Sequence, residues 1–115
     1  MANYPQYQIK SSSGQYYFVL KSTNGETILT SERYVTKQGC QSGIASVKSH
    51  APFDRYYNRL TSSNGQPYFT LRAANNEVIG TSELYSSTYN RENGIAACKR
   101  DAPVAGTVDL TMASV

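Results

Sequence analysis

Tyr7-Gln8-Ile9-Lys10 alternates apolar and polar residues, the two-residue period of a half-buried strand. Ser12-Ser13-Gly14-Gln15 breaks the run as a turn, and Tyr16 to Lys21, rich in aromatic and branched residues, restarts it as a second strand. Asn24-Gly25 then supplies the positive φ values of a tight type I′ hairpin turn, and Thr27 to Thr30 reads as a short third strand. Beyond Val35 the period changes. Cys40, Ile44, Val47 and Ala51 follow at steps of four, three and four, which is one face of a helix. Pro52 ends that helix by restricting the residue before it. Residues 53–61, FDRYYNRLT, read as a further strand.

The same pattern then starts again. Shifted by 51 residues, 11–52 falls on 62–103 without a gap, with 20 identities in 42 positions. Phe18 matches Phe69, Leu20 matches Leu71, Ile28 matches Ile79, Tyr34 matches Tyr85, Gly43 matches Gly94 and Ile44 matches Ile95. Asn64-Gly65 and Asn75-Asn76 mark the two turns of the second copy, Pro103 ends its helix, and residues 107–113 form a closing strand. Arg91 replaces Cys40 on the second helix, so its stem must snorkel or lie near solvent. Gly43 and Gly94 each weaken a helix by about 1 kcal/mol relative to Ala, and their retention predicts close approach of helix to sheet. The expected fold class is α+β: two tandem β-β-β-α-β repeats sharing one antiparallel sheet, with two helices packed on one face. Residues 1–115 form a single pseudo-symmetric domain of repeat 1 (about 5–56) and repeat 2 (about 57–113). The predicted inward set is Phe18, Leu20, Ile28, Ile44, Val47, Phe69, Leu71, Ile79, Ile95 and Cys98.

Composition narrows the function classes. The chain has 115 residues, two Cys, one His and a net charge of +3. A His/Cys metal site needs about four ligands, so no metal is expected. A disulfide framework is likewise excluded. No apolar run approaches the roughly 20 residues that span a bilayer, and MANYPQYQIK has neither the basic start nor the apolar core of a signal peptide. A cytoplasmic protein without a cofactor is the expectation. The positive excess lies in residues 1–52, but no Lys or Arg cluster supports obligate duplex binding.

Candidate chemistry falls into three groups. Alternation turns Tyr17, Lys21, Tyr68 and Arg72 away from the helices onto one open sheet face, where tyrosines interleaved with cations could stack the bases of a single strand. Such residues also suit an ordinary solvated strand. Ser31, Glu32 and Tyr34 recur as Ser82, Glu83 and Tyr85. This repeated polar set reads either as the makings of a small enzyme site or, with more economy, as helix capping by Ser and Glu, with the tyrosines under the helix start. Cys40 and Cys98 do not correspond under the shift and read as small hydrophobes. His50, matched by Asp101, reads as a surface residue near a helix C-terminus. No catalytic residue is assigned. The leading expectation is a non-enzymatic cytosolic module that binds a macromolecule or ligand through the open sheet face. The alternatives are weak single-stranded nucleic-acid binding and an enzyme built on the repeated Ser/Glu/Tyr set.

The run Asn24-Gly25-Glu26, Ser31-Glu32, Tyr34, Gly43-Ile44, Val47 and Lys48 resembles the YegP-like family of small bacterial proteins. The second copy departs mildly, with Asn76 for Gly and Cys98 for Val. The resemblance covers nearly the whole chain. It implies a tandem β3-α-β architecture with one shared sheet and exchange of the post-helix strands between halves. It also implies that single-repeat members reach the same shape as dimers, so that a tandem chain is expected to be a monomer. It implies no particular activity.

Overall fold

The computed structural model describes residues 3–111. Strands β1 (Gln6–Ser12), β2 (Gln15–Lys21) and β3 (Thr27–Ser31) precede helix α1 (Lys37–His50). A single 3-10 turn, Asp54–Tyr56, leads into β4 (Tyr57–Thr61), β5 (Pro67–Arg72) and β6 (Val78–Thr81), then helix α2 (Thr88–Asp101) and β7 (Gly106–Asp109). The seven strands form one sheet in the order β4-β5-β6-β3-β2-β1-β7. The repeats meet at its centre, where β3 and β6 pair antiparallel through Thr30–Thr81 and Ser31–Gly80.

The sheet is mixed, not wholly antiparallel as expected: β7 runs parallel to β1, aligning Gln6 with Gly106 and Ile9 with Asp109. The reason lies in strand exchange. Each strand after a helix joins the other repeat, β4 beside β5 and β7 beside β1. The chain reaches β7 by a long crossover, the connection that a parallel pair requires. Since β4 serves both as the strand after α1 and as the first strand of repeat 2, the described residues form seven strands where two full β-β-β-α-β units would need eight.

The turns differ from expectation too. Asn24 does not adopt positive φ; Gly25 does, at 86°, and Asn76 stands in its place at 74°. Ser22 N–H donates to Glu26 O and Gly25 N–H to Ser22 O, so the turn is a longer one closed by a left-handed residue rather than type I′. The two-residue turn with positive φ at both positions is Ser13-Gly14. Its counterpart at 62–66 takes the longer form, which shifts the register between copies by one residue in the first strand. Tyr57 therefore occupies the place of Tyr7: Tyr57 pairs with Leu71 as Tyr7 pairs with Leu20.

All ten residues of the predicted inward set are buried. The core also takes in Tyr7, Ile9, Leu29, Cys40, Tyr57, Ala102 and Ala105. Leu29 joins Ile28 because a bulge at Leu20/Lys21 leaves one residue of β3 unpaired, so two consecutive side chains face inward. In repeat 2 the equivalent of Leu29 is Gly80, and a Cβ there would meet the Leu29 side chain at 3.4 Å. One bulky and one vanishing side chain thus share the joint between the repeats.

Both helices lie across that joint. α1 packs on β2 of its own repeat and on β5 and β6 of the other; α2 packs on β5 and β3. Their C-termini are tied across the repeats. Tyr57 Oη donates to Ala51 O at 2.7 Å, and Tyr7 Oη donates to Ala102 O at 2.7 Å. Each buried hydroxyl satisfies a carbonyl that the end of a helix leaves without an intrahelical partner. Burial pushes both phenols far above the usual tyrosine range, so they remain donors. Tyr57→Phe should cost about 1–3 kcal/mol in urea unfolding by orphaning the Ala51 carbonyl. Phe69→Ala should cost about 3–5 kcal/mol by leaving a cavity.

Candidate functional site

Among the described residues no helix covers one face of the sheet, and the residues of that face follow from the pairing register. A row crosses the centre as Gln8, Val19, Thr30, Thr81, Thr70 and Asn58. Tyr17 and Arg72 lie on one side of this row, Lys21 and Tyr68 on the other. Strand spacing separates β2 from β5 by about 14 Å, and four residues along a strand span about 13 Å. The structure therefore places all four predicted residues on one face, as the corners of a rectangle rather than as a cluster.

Each corner has a local environment. Arg33 lies over the Tyr17 ring at 5.1 Å. Lys21 Nζ donates to Thr27 Oγ1 at 2.7 Å, and Arg72 Nη1 donates to Asn76 O at 2.8 Å. The copies then diverge. Thr70 stands where repeat 1 has Val19, and both are withdrawn from water, at 7% and 6% exposed. Val78 stands where repeat 1 has Thr27, so Arg72 faces a methyl surface where Lys21 finds a hydroxyl. As a result Thr70 Oγ1 and Arg72 Nε are buried without a hydrogen-bond partner among the described residues. The sequence pattern marked Arg72 but not Thr70. The signal was available in the comparison of copies, as a hydroxyl where the fold accepts valine.

The repeated Ser/Glu/Tyr set is divided by the structure. Ser31 Oγ accepts from Phe18 N at 2.9 Å and donates to Glu32 O at 2.7 Å; Ser82 does the same between Phe69 N and Glu83 O. These serines complete the ladder between adjacent strands and do not cap the helices. The caps are Thr36 and Ser87, which accept from Gly39 N and Asn90 N. No acidic residue lies in the first turn of either helix, so the expected dipole role of Glu32 and Glu83 is also set aside. The expectation of capping fails because five residues separate each Ser from its helix, beyond the reach of a cap.

Tyr34 and Tyr85 lie flat under the helices, stacked on Phe18 and Phe69 at 6.5 and 6.3 Å. Their hydroxyls reach Gly43 and Gly94 so closely that a Cβ at either glycine would overlap them. The retained glycines thus make room first for a tyrosine ring, and at Gly43 also for Phe18 of the sheet, 3.2 Å from where a Cβ would stand. Each tyrosine floors a cleft between repeats. The first, of about 500 Å³, is lined by Glu32, Tyr34, Gly43 and Ser46 from repeat 1 and Asn75, Glu77 and Ile79 from repeat 2. The second, of about 370 Å³, inverts this, with Tyr85 and Gly94 facing Asn24, Glu26 and Ile28. Burial first, then the nearby cysteine and glutamates, raises both phenol pKa values and keeps them neutral.

The remaining titratable groups are structural. Burial pushes the Cys40 thiol up to about 11 and the Cys98 thiol up to about 12. Arg91, where repeat 1 has Cys40, keeps its side chain 13% exposed and reaches the Leu60 carbonyl at 3.4 Å, the snorkelling geometry. Among the described residues, no group of three or more His, Cys, Asp or Glu is placed to hold a metal ion. Native protein at pH 8 should leave both thiols unmodified by a disulfide reagent, and two equivalents should react in denaturant. Gly94→Ala should cost about 1–3 kcal/mol in chemical unfolding as Tyr85 is displaced. Gly106→Ala, with open space around it, should stay within about 0.5 kcal/mol.

No helix among the described residues is long and apolar enough to cross a membrane. Comparison with known proteins matches the family model described as a domain of unknown function, DUF1508, twice, at residues 11–57 and 62–109. The chain is 52% identical over 105 residues to a UPF0339 protein of Bordetella pertussis, covering 91% of this chain and 95% of that one. It is 52% identical over 102 residues to the UPF0339 protein YegP of Escherichia coli, covering 89% and 93%. The solution NMR structure of E. coli YegP superposes with a TM-score of 0.86 at 45% identity over 91% of each chain. That of a UPF0339 protein from Shewanella oneidensis gives 0.86 at 44% identity, over 91% and 90%. Two matched copies in one shared sheet, with relatives aligned across nearly their full lengths, place this chain in the DUF1508 family as a YegP-like tandem-repeat member.

Proposed function

We propose that the chain is a non-enzymatic, monomeric, cytoplasmic binding module that holds a macromolecular partner on its open sheet face. The observation that carries this reading is the orphaned pair Thr70 Oγ1 and Arg72 Nε. A buried donor without a partner destabilises a fold by about 1–3 kcal/mol. Repeat 1 shows the less costly arrangement at the same positions, with Val19 and a Lys21–Thr27 hydrogen bond. Arg72 Nε is a donor and the Thr70 hydroxyl both donates and accepts, so a partner that draws these covered side chains outward presents carbonyl, carboxylate or phosphate oxygens to this part of the face. The repeated polar set supports a binding role over catalysis. Both serine hydroxyls are committed to backbone hydrogen bonds, and both thiols are held protonated. Base stacking by a single strand is less favoured: the two tyrosines lie on a diagonal, and Arg33 already covers one of them.

The test compares the parent with the Thr70→Val, Arg72→Gln variant as bait in native cytosol, with and without nuclease. The expected result is a partner captured by the parent and reduced about tenfold or more on the variant, whose melting temperature is equal or higher. Equal capture by both baits, or none by the parent, overturns the reading. Capture that nuclease abolishes moves it to nucleic acid.

A further inference from the structure

The two clefts are closed by hairpins held from the opposite repeat, and the two holds differ in chemistry. In each hairpin the turn uses its own amides at two positions, Ser22 and Gly25 or Ala73 and Asn76, and leaves over the amide of residue 23 or 74. Thr23 N–H donates to Asp101 Oδ2 at 3.0 Å, and its hydroxyl donates to Oδ1 at 3.1 Å. Ala74 N–H donates to His50 Nε2 at 3.0 Å. Residues 50 and 101 correspond under the 51-residue shift, as do 23 and 74. One position at the end of each helix therefore does the same work in both copies, with a carboxylate on one side and an imidazole on the other.

The network sets the state of His50. An amide can only donate, so Nε2 must be the bare nitrogen and the proton sits on Nδ1, 2.8 Å from the Ser46 carbonyl that accepts it. A second proton would place an N–H against the Ala74 N–H. We propose that His50 is a pH-responsive latch that holds the 73–77 hairpin against α1 and releases it on protonation, while the Asp101 latch on the opposite hairpin stays closed. The consequence falls on one cleft, because Ala73, Asn75 and Glu77 form the wall of the larger one. This inference stands apart from binding at the open face.

The surroundings of the ring fit such a switch. Tyr56 meets it edge-on at 4.6 Å from the 3-10 turn, and Arg55 lies over that tyrosine at 4.6 Å. Ser46 and Ser49 flank it on α1, and α1 also carries Lys48, which lies over Tyr7. The hairpin contributes Glu77, whose carboxylate accepts from Asn75 Nδ2. No carboxylate among the described residues bonds the ring. Imidazole changes charge between pH 5 and 8. Asp101 does not: Arg100 holds it through two hydrogen bonds at 2.8 and 2.9 Å and, with Thr23, keeps its carboxyl below the usual range despite burial. The His50 latch needs the bare Nε2 of the neutral ring and is lost when that nitrogen takes a proton. The Asp101 latch persists until far lower pH.

The test is amide hydrogen exchange by NMR on the full chain between pH 5 and 8, corrected for intrinsic rates, with Thr23 as the internal reference. Ala74 protection should fall about two- to tenfold from pH 8 to pH 5.5 relative to Thr23. His50→Asp installs the residue that repeat 2 already uses, so it should fold and hold Ala74 protected across the range. Ala74 protection that does not change with pH in the parent overturns the proposal, as does a fall that persists in His50→Asp.

Discussion

Each helix of this protein lies across the boundary between repeats, and the rest of the architecture follows from that. A helix packed only on its own three strands would leave part of its apolar stripe in water. By spanning β2 to β6, α1 buries Cys40, Gly43, Ile44 and Val47 on strands of both copies. The seam in the sheet can therefore be short. Two aligned residue pairs join β3 to β6, and the helices, the exchanged edge strands and the paired tyrosine hydroxyls supply the remainder. β7 is held at the far edge in the same manner, with Lys37 Nζ at the start of α1 lying 2.8 Å from Asp109.

An internal duplication allows two kinds of comparison. Where the copies agree, the structure mostly finds packing: Tyr over Gly, Ser bonded to a Phe amide, Ile at a bulge. Where they differ, it finds the chemistry that packing does not require. Val19 against Thr70, Thr27 against Val78 and His50 against Asp101 each keep the shape of the site and change its polarity or its response to protons. The two halves share their order of strands and helix and differ in surface chemistry.

Much of this was legible in the sequence. The strand and helix periods, the repeat and ten core residues follow from spacing alone, because burial imposes the period. Other features depend on partners distant in the chain. Nothing local to Tyr7 announces that its hydroxyl ends a helix 95 residues away. The bulge that turns Leu29 inward exists only in the pairing with β2, and the turn at Asn24-Gly25 takes its shape from Ser22 and Glu26 rather than from the dipeptide. The open face was read correctly as a face, yet its donors stand out only once Val78 is seen opposite Arg72. The clefts were invisible for the same reason, since each takes its floor from one copy and its wall from the other.

The contact between Leu29 and Gly80 bears on how the two halves fit together. A self-assembling pair of identical repeats would present the same side chain twice at this point, and must choose one of moderate size. In one polypeptide that restriction does not hold, and here one side carries leucine while the other carries a bare α-carbon. Neither half now has a self-complementary edge: two leucines would compete for one volume, and two glycines would leave it empty. At this joint the two halves are shaped for each other rather than for a second copy of themselves.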